Sequence, residues 1–165
     1  MKNGIVIADA GPIFSLAILG KLELLNALFS EIKIPHAVWE EITLNENTEF
    51  YEYVHNFFSP KACDIKGIND LTLIMDYGES ESVILYREVK ADFLLIDDKK
   101  ARKIAENFGI NCIGTIGLLA GAKRKGLLEE LAPLFRTLIE SKRYYSIELL
   151  NQILVNHNEL PLTTE

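Results

Sequence analysis

Acidic side chains that follow apolar runs are the residues of this sequence with the clearest chemical potential. Asp9 comes directly after the apolar run 4–8, and Asp97 comes directly after the run 93–96. Short β-branched or fully apolar runs of this length indicate buried strands. Since the carboxyl ends of parallel strands meet at one edge of a sheet, we expect both carboxylates to face the same crevice. The alternative for either residue alone is a helix N-cap, where Asp is favoured.

A short predicted helix over residues 36–43 carries two adjacent glutamates, Glu40 and Glu41. At about 100° per residue, a buried stripe marked by Val38 and Ile42 places Glu41 about 80° from the centre of the stripe and Glu40 about 180° away. Glu41 is therefore the glutamate that is able to face the edge of the core. Two solvated glutamates on a surface helix are the alternative.

A second acidic helix start lies further along the chain, where Glu79 and Glu81 stand in the first turn of a helix predicted over residues 78–89. Acids in a first turn are also favoured simply by the helix dipole. Periodicity does not choose between Glu79 and Glu81.

Several carboxylates meeting in one crevice repel one another and raise their pKa values unless a cation neutralises them. Mg²⁺ binds through one or two carboxylates while it keeps several waters, and Mn²⁺ accepts similar ligands. Such an ion lowers the pKa of a bound water and offsets charge that develops on a phosphoryl group, which is the chemistry of metal-dependent nucleases. Zinc is disfavoured because no Cys or His stands in ligand spacing.

The elements that must position these acids alternate along the chain. Strands are predicted over 4–8, 32–34 and 93–96, with shorter ones at 62–65 and 111–113. Helices are predicted over 13–29 with a possible break at Gly20, and over 36–43, 45–58, 78–89, 99–107, 118–125, 127–141 and 147–155. This alternation predicts an α/β fold around a mainly parallel sheet. We expect a single domain over residues 1–165, in which about 127–165 form a C-terminal helical extension packed on the rest.

The charges are distributed unevenly over a chain whose net charge is -7. Residues 1–98 contain 7 Lys or Arg against 17 Asp or Glu, whereas residues 99–143 contain 10 against 4. The basic part begins with Lys99, Lys100, Arg102 and Lys103, directly after the predicted strand that ends in acids, where they could hold phosphates. A merely solvated mixed surface is the alternative. No aromatic pattern typical of sequence-specific RNA binding accompanies the lysines.

No apolar stretch approaches the roughly 20 residues that a membrane-spanning helix needs, and the N-terminus shows no cleavable leader. We therefore expect a cytoplasmic protein without a membrane partner.

The sequence resembles the PIN-domain superfamily, and most closely a VapC-like prokaryotic subgroup in which a GE-x-E helix precedes a strand that ends in DD. The resemblance covers about residues 5–126, and the order and spacing of its motifs are more specific than any one of them. The segments that carry it are IADAGPI at 7–13, PHAVWEEI at 35–42, GESES at 78–82, LIDDKKAR at 95–102 and GTIGLL at 114–119.

This resemblance implies a three-layer α/β/α sandwich and a Mg²⁺- or Mn²⁺-dependent endoribonuclease that hydrolyses RNA phosphodiesters with a metal-activated water. It implies further that the chain is the toxin of a type II toxin-antitoxin pair, with a cognate antitoxin and a homodimeric state. The alternative is a catalytically weak or inert module of the same fold that binds or regulates a partner. The residues that the resemblance assigns to catalysis and to the metal are Asp9, Glu41, Glu79 and Asp97, with Asp98 and Glu81 as auxiliary metal ligands.

Overall fold

The computed structural model of the chain describes residues 2–163, and a five-stranded parallel sheet lies at its centre. β-branched and apolar residues dominate the strands, as expected for strands that are covered on both faces. The strands are β1 (Ile5–Ala8), β2 (Glu31–Pro35), β3 (Ala62–Cys63), β4 (Phe93–Leu95) and β5 (Cys112–Ile113).

The strand order β3-β2-β1-β4-β5 determines where the sheet can hold a site. All four pairings are parallel. After β1 the chain builds outward through β2 and β3, and it then returns to the other side of β1 with β4. The connections therefore change direction between β1 and β4, and open α/β sheets bind ligands at the carboxyl ends of strands at such a switch point.

Helices cover both faces of the sheet. They are α1 (Ala10–Ile18), α2 (Glu23–Leu28), α3 (His36–Thr43), α4 (Tyr51–Phe58), α5 (Tyr77–Glu88), α6 (Lys99–Asn107), α7 (Thr115–Arg124), α8 (Ala132–Glu140) and α9 (Ile147–Asn156), and a short 3-10 turn spans Ser59–Lys61.

Alternate residues of the central strands point into two separate apolar cores. Val6 and Ala8 join the larger core, which includes residues of α1 to α4 and α7 to α9. Ile7 and Leu94 join the smaller core, which the residues of α5 and α6 complete on the opposite face. The fold is therefore a three-layer α/β/α sandwich, which confirms the predicted fold class.

The prediction for residues 13–29 is wrong about where the helix begins and is confirmed at the possible break. The helix begins earlier, at Ala10, because Pro12 fits the first turn of a helix, where its missing N–H costs nothing. It also divides into α1 and α2 at the suspected break, because Gly20 takes a φ of +66° that ends the first helix.

Two other helices begin later in the structure than predicted. The segment from residue 45 was expected to be helical, but Asn45 forms a turn in which its side chain accepts from the N–H of Asn47 and its carbonyl accepts from that of Thr48. The helix predicted from residue 127 begins at Ala132, because the carboxylate of Glu159 accepts hydrogen bonds from the backbone N–H groups of Leu131 and Ala132. Conversely, the helix predicted from residue 118 begins three residues earlier, at Thr115.

Among residues 2–163, no helix combines the length and the apolar character that crossing a membrane requires.

Candidate functional site

Asp9 and Asp97 lie at the switch point of the sheet. β1 and β4 pair in parallel, with Ala8 opposite Leu95, so the chain leaves both strands at the same edge. Asp9 follows β1 directly, and Asp97 comes two residues after the end of β4. The structure therefore brings these two acids, 88 positions apart in the sequence, to one edge as the strand pattern predicts.

Asp9 is a buried carboxyl group among other acids. Its side chain is only 7% exposed. The pKa of Asp9 is raised to about 7, chiefly by burial and also by the nearby carboxylates of Glu79, Glu41 and Asp97, against the Ala10 backbone N–H, which lowers it. Asp9 occupies the N-cap position of α1, but its side chain makes no capping hydrogen bond there. The N-cap alternative therefore does not explain why an acid stands at this position.

Glu41 reaches the same edge from α3. Gly78, the second residue of α5, lies between Glu41 and Asp9: a Cβ at Gly78 would stand 3.1 Å from Oε2 of Glu41 and 3.9 Å from Oδ1 of Asp9. These two oxygens are consequently no more than about 7 Å apart. Partial removal of water raises the pKa of Glu41, and the charge of Asp76 raises it further. Glu40 points to solvent instead, where its Oε1 lies 2.9 Å from Nε2 of His36.

Glu79 stands half-buried in the first turn of α5. Its Oε2 accepts a hydrogen bond from the backbone N–H of Asp76 at 3.4 Å, as an acid at the third position of a helix often does. Burial raises the pKa of Glu79, and repulsion from Asp98, Asp76 and Glu41 adds to the effect. Glu79 therefore shares the negative potential of the edge while it also helps to start α5.

Asp97 is held firmly by hydrogen bonds. Its Oδ1 accepts from the backbone N–H of Thr115 at 2.8 Å. Its Oδ2 accepts from the hydroxyl of Thr115 at 2.7 Å and from the hydroxyl of Tyr145 at 2.6 Å. Three donors from two distant elements fix the orientation of this carboxylate, and Thr115 is itself the first residue of α7.

The two auxiliary acids have structural contacts. Asp98 is the N-cap of α6, and its Oδ1 accepts from the N–H of Ala101 at 2.8 Å. Glu81 is only 6% exposed, and its Oε1 accepts from the N–H of Ala37 at 3.0 Å, which satisfies an otherwise free donor in the first turn of α3. Glu81 thus fixes the helix that carries Glu41, whereas Glu79 is the acid of this pair that couples to Asp9.

The basic residues of α6 begin beside this edge. Lys99, Lys100 and Lys103 are exposed, and none of the three has a salt-bridge partner within residues 2–163. Arg102 is half-buried and donates from Nε to Glu106 at 3.1 Å and from a terminal nitrogen to the carbonyl of Cys112 at 3.5 Å. The three lysines are therefore freer to contact a ligand than Arg102 is.

An open cavity of about 800 Å³ adjoins the acidic edge. Glu79 and Asp98 line it on the side of the acids, and Lys100, Asn107 and Phe108 line it along α6. Its size is in the range of cavities that hold small ligands, so a portion of a larger substrate can lie next to the carboxylates.

Thr115 lies in the GTIGLL segment that carries the resemblance, but the sequence motifs assigned no site role to it or to Tyr145. A signal for Thr115 did exist, since a Gly-Thr pair after the last strand starts a helix at the same sheet edge as the acids. No local signal marks Tyr145, because it lies outside regular structure and contacts a residue 48 positions away.

The donor set of this edge suits a hard divalent cation. Within the part of the chain from residue 2 to residue 163, no three His, Cys, Asp or Glu side chains form a ready cluster around one point. Mg²⁺ does not require such a cluster, because one or two carboxylates commonly bind it together with waters and substrate phosphates. A buried carboxyl group with a raised pKa beside three other acids, as at Asp9, is an environment that a cation would stabilise.

The chain matches a known family over most of its length. A family described as PIN domain matches residues 5–159, which include every candidate acid and the whole of α5 to α9. None of the curated proteins compared with the chain matches it.

Proposed function

We propose, because this chain belongs to the PIN-domain family, that it is a metal-dependent endoribonuclease and the toxin of a toxin-antitoxin pair. Membership of the family supports nuclease activity in general. The restriction to RNA and the role as a toxin rest on the resemblance, and the VapC-like subgroup rests on the GE-x-E and DD motifs in residues 78–82 and 95–98.

The observation that carries the proposal is the burial of Asp9 at the switch point. A buried carboxyl group with a pKa near 7 destabilises the folded state once it ionises. A residue such as Asn at this N-cap position would avoid that cost and would favour the helix equally well. The acid is therefore explained by a ligand that needs its charge, and a divalent cation is the simplest such ligand.

The side chains divide the work. Asp9 and Asp97 would hold Mg²⁺ or Mn²⁺, with Glu79 and Glu41 as further oxygen ligands directly or through waters. When bound, the ion supplies positive charge for the phosphoryl oxygens and lowers the pKa of a water molecule. Thr115 keeps Asp97 oriented through two hydrogen bonds.

No covalent enzyme intermediate is expected, because activated Ser, Cys or His nucleophiles are not found at this edge among residues 2–163.

The RNA would follow α6. Lys99, Lys100 and Lys103 would contact its phosphates, with Arg102 as a weaker contributor because of its internal hydrogen bonds. The cavity beside Glu79 and Asp98 leaves room for a nucleotide next to the scissile bond. We propose further that the protein acts in the cytoplasm, that a cognate antitoxin restrains it and that it forms a homodimer.

The decisive experiment incubates the purified protein and an Asp97→Asn variant with mixed RNAs in Mn²⁺, with an EDTA control. We expect cleavage by the wild-type protein in Mn²⁺ only. Equal cleavage in all three reactions would reveal a contaminating nuclease. The comparison would then be repeated with independent preparations. Calorimetric titration with Mn²⁺ measures metal binding separately from cleavage.

A second candidate function is a regulatory module of the same fold. The absence of a ready three-acid cluster within residues 2–163 favours it. This alternative predicts neither Mn²⁺ binding nor RNA cleavage by the wild-type protein, and that combined result would replace the nuclease proposal.

A further inference from the structure

A continuous chain of hydrogen bonds connects the C-terminal part of the molecule to Asp97. A terminal nitrogen of Arg143 donates to the carbonyl of Gly11 at 2.9 Å, and its Nε donates to the hydroxyl of Ser15 at 3.0 Å. The Ser15 hydroxyl lies 2.8 Å from the hydroxyl of Tyr145, which lies 2.6 Å from Oδ2 of Asp97. Arg143 and Tyr145 both belong to the segment that joins α8 to α9.

The direction of every bond in this chain follows from the donors available. An ionised carboxylate only accepts, so the single hydroxyl proton of Tyr145 goes to Asp97. Ser15 must then donate to the oxygen of Tyr145, and Arg143, which only donates, supplies the bond that Ser15 accepts. All the bonds therefore run one way, from the guanidinium to the carboxylate, and bonds aligned in this manner strengthen one another.

The segment that carries Arg143 and Tyr145 begins with the turn that ends α8. Lys142 adopts a φ of +59°, in the left-handed region that non-glycine residues rarely occupy. The turn ends α8, with the N–H of Arg143 donating to the carbonyl of Leu138 at 2.9 Å. Lys90 and Asn158 adopt the same conformation directly after the C-caps of α5 and α9, so this is an ordinary helix ending, and it sets Arg143 at the start of the segment.

We infer that Tyr145 is a positioning residue for the reaction, and that it orients the Asp97 carboxylate toward the metal through the chain from Arg143 and Ser15. This inference rests on the proposed function. Thr115 and Tyr145 together take up both available directions at Oδ2, so Oδ1, which accepts only the Thr115 N–H, is the oxygen left to bind the ion. The C-terminal segment is thereby part of the active site and more than a cover for the core.

The same chain of hydrogen bonds also contacts the backbone close to Asp9. Gly11, whose carbonyl accepts from Arg143, lies in the first turn of α1, two residues after Asp9. One segment therefore contacts both the backbone that follows Asp9 and the carboxylate of Asp97.

The test compares Tyr145→Phe with Tyr144→Phe. Both variants lose one phenolic hydroxyl, but the Tyr144 side chain is 94% exposed and makes no contact with the site. For each protein the Mn²⁺ affinity, kcat and KM for RNA and the melting temperature without metal are measured. Loss of a hydrogen bond to a metal ligand costs about 10–100-fold in metal affinity or activity, so Tyr145→Phe should lose that much in Mn²⁺ affinity or kcat while KM changes little. Tyr144→Phe should match the wild type.

A second pair of variants guards against a Tyr145→Phe protein that does not fold. Arg143→Met keeps the packing of the half-buried stem and removes the bonds to Ser15 and Gly11, whereas Arg136→Met makes the same change at an exposed position of α8. We expect a several-fold loss of kcat for Arg143→Met and none for Arg136→Met.

The outcomes separate the inference from the proposed function. Wild-type kcat and Mn²⁺ affinity in folded Tyr145→Phe would overturn the positioning role, even if its melting temperature falls, because a purely structural bond affects stability alone. If Tyr145→Phe does not fold, wild-type values in Arg143→Met would overturn it. A wild-type protein that neither binds Mn²⁺ nor cleaves RNA would overturn the proposed function and this inference with it.

Discussion

Asp9 and Asp97 follow neighbouring parallel strands, yet the protein surrounds the two carboxylates differently. Asp97 accepts three hydrogen bonds, from Thr115 and Tyr145. Asp9 is buried, and of the groups that shift its pKa only the Ala10 N–H favours the charged form. The fold therefore stabilises one carboxylate with three hydrogen bonds and leaves the other with the Ala10 N–H alone against its burial. Under the proposed function the two acids would have different roles: Asp97 would be oriented before a cation arrives, whereas Asp9 would gain its compensation from the cation.

The largest expected effect comes from Asp9→Asn, which should change activity and stability in opposite directions. Loss of a charged metal ligand removes several kcal/mol of charge stabilisation, so RNA cleavage should fall by about 10³-fold or more. The metal-free variant should nevertheless melt at a higher temperature than the wild type at pH 8, because a buried negative charge is gone. Cleavage assays and metal-free thermal unfolding of the same preparations measure both. A variant that melts at a lower temperature at pH 8 would show that the fold already compensates the charge of Asp9.

The pH dependence of stability should isolate Asp9. Its folded pKa of about 7 lies above the ordinary value of 3.8, so the folded state binds the proton more tightly than the unfolded state. The stability that this proton contributes is complete below about pH 4 and is lost as the pH rises to about 7. The difference between the two pKa values corresponds to about 4 kcal/mol.

Subtracting the unfolding free energy of Asp9→Asn from that of the wild type at each pH from 5 to 8 removes the contributions of acids that do not interact with Asp9, so that the difference reports Asp9 together with its coupling to Glu79, Glu41 and Asp97. We expect the wild type to lose stability relative to the variant over this range, and saturating Mn²⁺ to remove the loss. A flat difference without metal would contradict the raised pKa.

The sequence predicts those features of the two acids that depend on nearby residues, and it does not predict those that depend on residues far along the chain. The position of both acids follows from short strand patterns and from the rule that parallel strands end at one edge, so it could be predicted. Helix geometry likewise separates Glu41 from Glu40, because it needs only four residues around them. The start of α8 could not be predicted, since Glu159, which lies 27 positions away from Ala132, accepts from its first turn.

The hydrogen bonds of Asp97 show the same limit. Tyr145 and Ser15 are 130 positions apart, and each comes within reach of the other only when α8 and α9 pack on the sheet. No property of the local sequence distinguishes Tyr145 from the exposed Tyr144 beside it. The acids themselves were therefore predictable from pattern, but the difference between their surroundings required the tertiary structure.

A smaller effect is expected from substitutions of Lys99 and Lys100, the first two residues of α6, which follow Asp97 closely in the sequence. If the proposed function holds, replacing both by Ala should weaken RNA binding for all sequences alike, because the contacts proposed for these lysines are to phosphates. Each lost contact to a single strand reduces the salt slope by about 0.7, so the double variant should show a slope that is flatter by about 1.4. Binding measured over a salt series, with Lys2→Ala and Lys21→Ala together as a control of equal charge, tests this. An unchanged slope would place the RNA elsewhere on the protein.

The smallest effects are expected from Ala substitutions at the two glycines that lie close to the acids. A Cβ at Gly114 would stand 3.2 Å from Oδ1 of Asp97 and 3.1 Å from a guanidinium nitrogen of Arg102. Hydrogen bonds hold Asp97 in place, so its carboxylate does not make room for the new Cβ without disturbing those bonds. We therefore expect Gly114→Ala to shift the carboxylate out of its position and to reduce Mn²⁺ affinity a few-fold.

A Cβ at Gly78 would stand 3.1 Å from Oε2 of Glu41, which lies at the exposed end of a flexible side chain and can move. Gly78→Ala also gains helix propensity, at most about 1 kcal/mol, so its stability should equal or exceed that of the wild type and its Mn²⁺ affinity should change little. Thermal unfolding and Mn²⁺ titration of both variants provide the measurement. If Gly78→Ala weakens Mn²⁺ binding more than Gly114→Ala does, then Glu41 is held more rigidly than Asp97, and the contrast between an oriented and an uncompensated side of the edge would be reversed.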